Sequence, residues 1–337
     1  MLIRLKSISG ASLWLLLLVL PAGCSCDSQT GQIPGQIKAN DFRGETIYLE
    51  QPAERVVCLI ESALSGIYML GQQDKLVGIP GDVYRGETWR RYAELDQRIK
   101  AKSLPTPGNW DFVSIEQVVG LEPDLVIIWA SQIDAIENLE SLGIPVYAVM
   151  LHGFEDVFKE IDDFGKLLGC EERAGELIGF TRKTLEQERD KYSGKPKKSV
   201  YFMWAQGINE TSGTESTVND LLQYAGTTNA CDIRDEHVTI NIEKLIDWQP
   251  DLIVMWYSEK LDPVDVIGNP LLQGLKAVRN KQVYEFPSAF DCDLWTLKMV
   301  YPVWLVSHWA YEQEKDLSFS REQLLNKLYE QSLTACE

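Results

Sequence analysis

Trp110, Trp129, Trp204, Trp256 and Trp295 all fall just beyond predicted strands or in the loops beside them, in a chain with ten tryptophans. Rings that only fill a core belong inside a sheet; at strand ends they suit a clamp for a large flat or apolar ligand. Such rings bury much area with few rotatable bonds, which lowers the ordering cost of binding. Tyr84, Tyr257 and Phe290 extend the same wall. The three histidines, His152, His237 and His308, show no HExxH or His-x-His spacing, which argues against a zinc site. His237 or Tyr84 could instead ligate a metal carried by a ligand. No Gly-x-Ser-x-Gly, P-loop or Gly-x-Gly-x-x-Gly pattern occurs, so an enzyme reading lacks its nucleophile and base, and no resident cofactor is expected.

Seven cysteines, Cys24, Cys26, Cys58, Cys170, Cys231, Cys292 and Cys336, include no CxxC pair, so a zinc ribbon or thioredoxin-like site has no support. Cys58, inside the apolar run 56–60, reads as a buried small hydrophobe. Cys231 and Cys292 lie in the same half and could pair in an oxidising compartment.

The elements that must position these residues contain a repeat. Residues 114–131, SIEQVVGLEPDLVIIWAS, recur 127 residues later as NIEKLIDWQPDLIVMWYS (241–258), with seven of 18 positions identical. Each copy predicts a capped helix, a Pro-Asp turn that forbids helix continuation, and a buried strand ending in tryptophan. Glu116 and Glu243 hold equivalent places in the first helical turn. A carboxylate there complements the helix dipole; the competing role is a pair of exposed acids, one per lobe, that dock a partner's arginines.

Around the repeat, short β-branched runs alternate with helical patterns. Strands are expected at 56–60, 76–79, 125–129 and 146–150, then at 200–204, 252–256 and 282–286. Helices are expected at 62–71, 114–121, 133–142, 217–225 and 242–248, with two closing helices from about Leu294 and Ser320. A long helix over 171–191 separates the halves, its apolar stripe formed by Ala174, Leu177, Ile178, Phe180 and Leu185. The fold class is α/β, two Rossmann-like lobes joined by one long helix. A chain of 337 residues is long for one core, and the expected organisation is a signal peptide (1–23), a tether (24–44), an N-terminal lobe (45–168), a linker helix (169–195) and a C-terminal lobe (196–337). Ligands of open α/β sheets bind beyond the strands' C-terminal ends, so a cleft between two such edges is the expected site.

Arg4 and Lys6 followed by the apolar run 11–20 predict an export signal, too short to span a bilayer. Ala22-Gly23-Cys24 resembles a lipobox, which implies a lipid anchor on Cys24; Pro21 stands where leucine is usual, and a plain secretory signal stays open. Loss of Arg4 and Lys6 would carry the formal net charge from −18 to −20. That sign disfavours nucleic acid and anionic lipid surfaces as partners.

Lipobox, lobe, long helix and lobe in that order resemble the substrate-binding proteins of iron-complex and vitamin B12 ABC importers. The likeness covers roughly residues 53–335 and is carried by Arg55–Ile60 leading to Leu70-Gly71, by Leu76-Val77-Gly78, and by Ser114-Ile115-Glu116 through Glu122–Val126. It implies an inner-membrane permease with its ATPase as partner, a monomeric extracytoplasmic protein, and Glu116 and Glu243 as the docking acids. It also implies Trp110 and Trp129 as pocket residues, while His237 stands where vitamin B12-binding members carry a tryptophan. The loop at Phe290-Asp291 lacks their arginine. An aromatic pocket poor in arginine favours a corrinoid or a neutral hydroxamate-type ferric complex, with cobalt or iron belonging to the ligand, over anionic catecholates or haem. Kept open are a haem-binding importer component, a receptor that signals without transport, and a nitrogenase-like cofactor scaffold or enzyme, for which Cys58 and Cys170 are the only candidate cluster ligands.

Overall fold

The computed structural model describes residues 36–312 and 317–330. The leader and Cys24 lie outside the described residues. In chain order the described strands are β1 (Ile37–Asn40), β2 (Thr46–Leu49), β3 (Val56–Cys58), β4 (Leu76–Gly78), β5 (Leu125–Trp129), β6 (Val146–Val149), β7 (Ser199–Met203), β8 (Glu210–Thr211), β9 (Thr228–Asn229), β10 (Val238–Thr239), β11 (Leu252–Met255) and β12 (Val283–Glu285). The helices used below are α1 (Glu61–Met69), α2 (Gly86–Leu95), α3 (Gln97–Lys100), α4 (Ile115–Gly120), α5 (Ile133–Ser141), α6 (Phe154–Leu168), α7 (Glu171–Lys191), α8 (Thr217–Tyr224), α9 (Ile242–Trp248), α10 (Pro263–Gly268), α11 (Lys276–Arg279), α12 (Val300–Tyr311) and α13 (Ser318–Tyr329).

Two four-stranded parallel sheets form, in the orders β4-β3-β5-β6 and β9-β7-β11-β12. Numbered within each half, both orders are 2-1-3-4, so the sequence repeat is also a repeat of topology. The two copies lie in separate sheets, as β5 and β11. Both copies end their helix in the same way. Glu122 and Gln249, each directly before a proline, adopt positive φ (47° and 45°), because the proline bars them from the right-handed helical region. The aspartates that follow the prolines then pin the next strand over. Asp124 accepts from the backbone N–H groups of Glu54 and Arg55 at 2.8 and 2.9 Å, and Asp251 accepts from that of Ser199 at 2.9 Å.

Strands β5, β6 and β11 are buried along nearly their whole length, which is why their sequences are continuous apolar runs rather than alternating ones. α7 crosses between the sheets and packs on α6 and α12, burying Ala174, Leu177 and Leu185. At about 1.5 Å per residue its 21 residues extend roughly 32 Å. One apolar core runs from the N-terminal sheet through α6 and α7 to α12 and α13, so the described residues belong to a single compact unit.

Three expectations need correction. The antiparallel hairpin β1–β2 begins at Ile37, inside the stretch expected to be tether; Ala39, Ile47 and Leu49 bury their side chains. The closing helix starts at Val300 rather than Leu294, because the side chains of Asp293 and Thr296 accept from the backbone of Trp295 and Lys298 and hold a turn there. Cys231 and Cys292 are free, buried thiols in different apolar clusters.

Candidate ligand-binding cleft

The C-terminal edges of the two sheets border one cavity of about 430 Å³. From the N-terminal half it receives Leu59 to Ser62 after β3, Pro80 and Asp82 after β4, Trp129 at the end of β5, and Met150 and Leu151 after β6. From the C-terminal half come Glu236 and His237, Trp256 after β11, and Ala289, Phe290, Asp293 and Trp295 after β12. Trp129 and Trp256 hold equivalent positions in the two repeats, so the duplication places one ring on each side.

Trp110 is 65 % exposed at the lip, in a loop held by hydrogen bonds. Asn109 Oδ1 accepts from the backbone N–H groups of Asp111 and Phe112, both at 3.0 Å, and its amide donates to Asp82 at 2.9 Å. Gly108 makes this turn possible: a Cβ there would stand 2.4 Å from the carbonyl oxygen of Phe112. Gly213 does the same for the opposite wall, where a Cβ would meet the carbonyl of Ile233 at 2.1 Å and push away the loop carrying Glu236 and His237.

The remaining expected residues divide. Trp204 does not line the cavity; it is 9 % exposed behind it, and its Nε1–H donates to Ser212 Oγ at 2.9 Å. From there it backs the lining rings, stacked on Trp295 at 6.1 Å and tilted against Trp256 at 5.3 Å and His237 at 5.6 Å. Tyr84 is a correction: it lies outside the cavity. Its hydroxyl donates to the carbonyl of Leu104 and accepts from the N–H of the same residue, so the ring fastens the 104 loop. Tyr257 lines a separate recess with Ser288 and Asp291.

The lining contains four acids, Glu61, Asp82, Glu236 and Asp293, and no lysine or arginine. Glu61 and Asp293 were not foreseen. Glu61 opens α1 and Asp293 lies more than 230 positions away, and only the fold unites them. Lys298 sits beneath, completely buried, with Nζ 3.7 Å from Asp293 Oδ2 and 3.7 Å from the centre of the Phe290 ring. Burial pushes the carboxyls of Glu61 and Asp293 up, while Lys298 pulls both down; burial also draws the Lys298 ammonium down, but Tyr329, Asp293, Glu61 and Asp291 together hold it up at about 12. The loop bearing these residues is tied across the halves. Asp291 accepts from Arg91 of α2 at 3.1 Å and from Arg321 of α13 at 2.7 Å, and Ser288 donates to Glu87 at 2.6 Å.

Glu116 and Glu243 are exposed and neither is ion-paired among the described residues. Their N-caps form: Ser114 accepts from the N–H of Gln117 and Asn241 from that of Lys244. A helix that turns tightly into its following strand runs back along it. Both acids therefore stand toward the strand-end edges that carry the tryptophans.

The periplasmic binding protein family model matches residues 56–290. The chain belongs to that family. Membership makes it a substrate-binding protein of the ABC-importer type, which captures its ligand and does not transform it, and this replaces the scaffold and enzyme readings. An uncharacterized ABC transporter substrate-binding lipoprotein of Bacillus subtilis, YvrC, is 25 % identical over 82 % of this chain and 89 % of its own. The vitamin B12-binding protein of Vibrio campbellii is 24 % identical over 65 % of this chain and 79 % of its own. Among solved structures, Helicobacter pylori CeuE superposes with a TM-score of 0.73 at 22 % identity, covering 88 % of this chain and 96 % of that one. The vitamin B12-binding protein BtuF of Vibrio cholerae does so with a TM-score of 0.62 at 21 % identity, covering 78 % and 99 %. These superpositions establish the shared fold. No helix among the described residues is long and apolar enough to cross a membrane.

Proposed function

We propose that this chain is the lipid-anchored capture component of an importer for a bulky metal complex, a corrinoid or a ferric hydroxamate, held in the cleft between the two sheets. The observation that carries the reading is the wall of Trp110, Trp129, Trp256, Trp295 and Phe290 around a cavity lined by no lysine or arginine. Such a surface stacks on a flat or apolar face and offers nothing to carboxylate or catecholate charge, which argues against haem. The cavity is smaller than such a complex, so the cleft grips one face while the rest projects. Relatives named as vitamin B12-binding proteins and as a lipoprotein support the ligand class and an anchor on Cys24. The complex is delivered to a permease coupled to an ATPase, on which Glu116 and Glu243 meet one arginine each. Acids so exposed add little affinity, but a matched pair sets encounter rate and register.

Titration of tryptophan fluorescence with cyanocobalamin, ferric ferrioxamine B and haemin tests the reading. Saturable quenching by one of the first two and none by haemin is expected. Quenching by haemin alone, or by none of the three in a folded protein, would overturn it.

A further inference from the structure

The floor of the cleft holds a combination that its aromatic walls do not explain. Glu61, from the start of α1, and Asp293, from the turn before α12, reach the same cavity from opposite halves. Tyr92 donates to one oxygen of Glu61 at 3.0 Å, and the backbone N–H of Trp295 donates to Asp293 Oδ1 at 2.9 Å. Asp293 Oδ2 has no hydrogen bond, although the side chain is only 7 % exposed. The neighbouring cation does not supply one. Lys298 Nζ is also without a hydrogen-bond partner; at 3.7 Å it attracts Asp293 by charge and the Phe290 face by its quadrupole, but does not donate. Two carboxylates thus share one ammonium, and a buried acceptor is left without a donor. Buried acceptors are ordinarily satisfied, so the missing donor has to come from what fills the cavity.

We propose that this floor is a recognition subsite for an N–H donor of the ligand, a primary amide or an ammonium group, accepted by Asp293 and Glu61. Lys298 acts as a positioning residue: it holds the Phe290 ring and the Asp293 carboxylate from below and offsets one of the two negative charges. A carboxylate in the same place would meet two acids and no available donor, so the floor also rejects anionic substituents. The inference rests on the metal-complex reading above and deepens it, by naming the chemical group through which the ligand is selected.

The test uses two matched pairs of probes with the mature chain, followed by tryptophan fluorescence. Ferric ferrioxamine B carries a pendant ammonium, and its N-acetyl derivative keeps the chelate without that charge. Cyanocobalamin carries primary amides, and its monocarboxylates replace one of them by an anion. In whichever pair binds, the donor-bearing member is expected to bind about tenfold or more tightly than its counterpart. The pair that shows the preference identifies the donor as ammonium or amide. Asp293→Asn and Glu61→Gln, both isosteric, should shrink the preference to about twofold or less while both probes still bind. Lys298→Met removes the charge that offsets the two acids and should widen the preference, whereas a purely structural role for Lys298 would weaken both members of a pair equally and leave their ratio intact. Binding without preference in the wild type, or a preference that survives Asp293→Asn and Glu61→Gln, would overturn the subsite and leave the metal-complex reading standing. Failure of all four probes to bind folded protein would overturn both.

Discussion

Replacing Trp129 by alanine separates a ring that serves the ligand from one that serves the fold. Trp129 ends β5 partly buried and lines the cavity, with its backbone fixed in the sheet by pairing to Val149. A tryptophan carries about 150–250 Å², and the part still open to a ligand is roughly 50–80 Å². At about 25 cal/mol per Å² that surface contributes roughly 1.2–2 kcal/mol when covered. Ring stacking adds about 0.5–1.5 kcal/mol. Together these make about 1.7–3.5 kcal/mol, so Trp129→Ala should raise the dissociation constant about 20- to 300-fold, with little change in melting temperature. Trp204→Ala should do the reverse in proportion. Its ring is buried behind Trp256 and Trp295 and its N–H is bonded to Ser212, so truncation should cost about 3–5 kcal/mol of stability. Fluorescence titration beside thermal melts of both variants reads the two quantities. Unchanged affinity in folded Trp129→Ala would refute the assignment of that ring to the ligand.

Glu116→Ala combined with Glu243→Ala should leave ligand affinity unchanged and sharply reduce uptake by cells; if both acids serve only the helix dipole, uptake stays normal and roughly 0.6–2 kcal/mol of stability is lost. Glu160, buried on α6 with one oxygen unpartnered, has its carboxyl pushed well up by burial, with Asp293 and Asp163 adding to the shift against Lys159. A carboxyl raised in the folded state lends stability below its ordinary range and loses it as pH rises toward the folded value. Glu160→Gln should therefore gain in melting temperature over the wild type increasingly from pH 4 to pH 8; a difference that is flat or falls with pH counts against this. Asp124→Ala removes an acceptor from two backbone N–H groups at the entrance to β3 and should cost about 1–3 kcal/mol in urea unfolding, with no effect on the ratio of affinities within either probe pair.

The parts of this molecule that are legible in the sequence are those written locally or written twice. The Pro-Asp turns work through neighbours in the chain, and their recurrence 127 residues apart marked the two sheets and put Trp129 and Trp256 at equivalent edges. Trp204 stood at a strand end like the others, yet Ser212 and the rings of Trp256 and Trp295 enclose it, and no spacing along the chain reveals what lies in front of a ring. Tyr84 misled for the same reason, since the loop at Leu104 claims its hydroxyl. α2 escaped because its pattern is mostly polar, with Arg91 and Tyr92 as its buried residues and Arg91 held by ion pairs. The acidic floor was beyond reach: Glu61 and Asp293 meet only because two halves of the chain face each other, and Lys298 looks like any helix-start lysine until its burial is seen.

The absorption spectrum of the protein purified from its native medium tests the central claim most directly. Bands of a corrinoid or of a ferric hydroxamate, lost when Trp129 and Trp256 are both replaced by alanine, are the predicted result. A haem spectrum, or a corrinoid or hydroxamate spectrum that persists undiminished in that double variant, would contradict it.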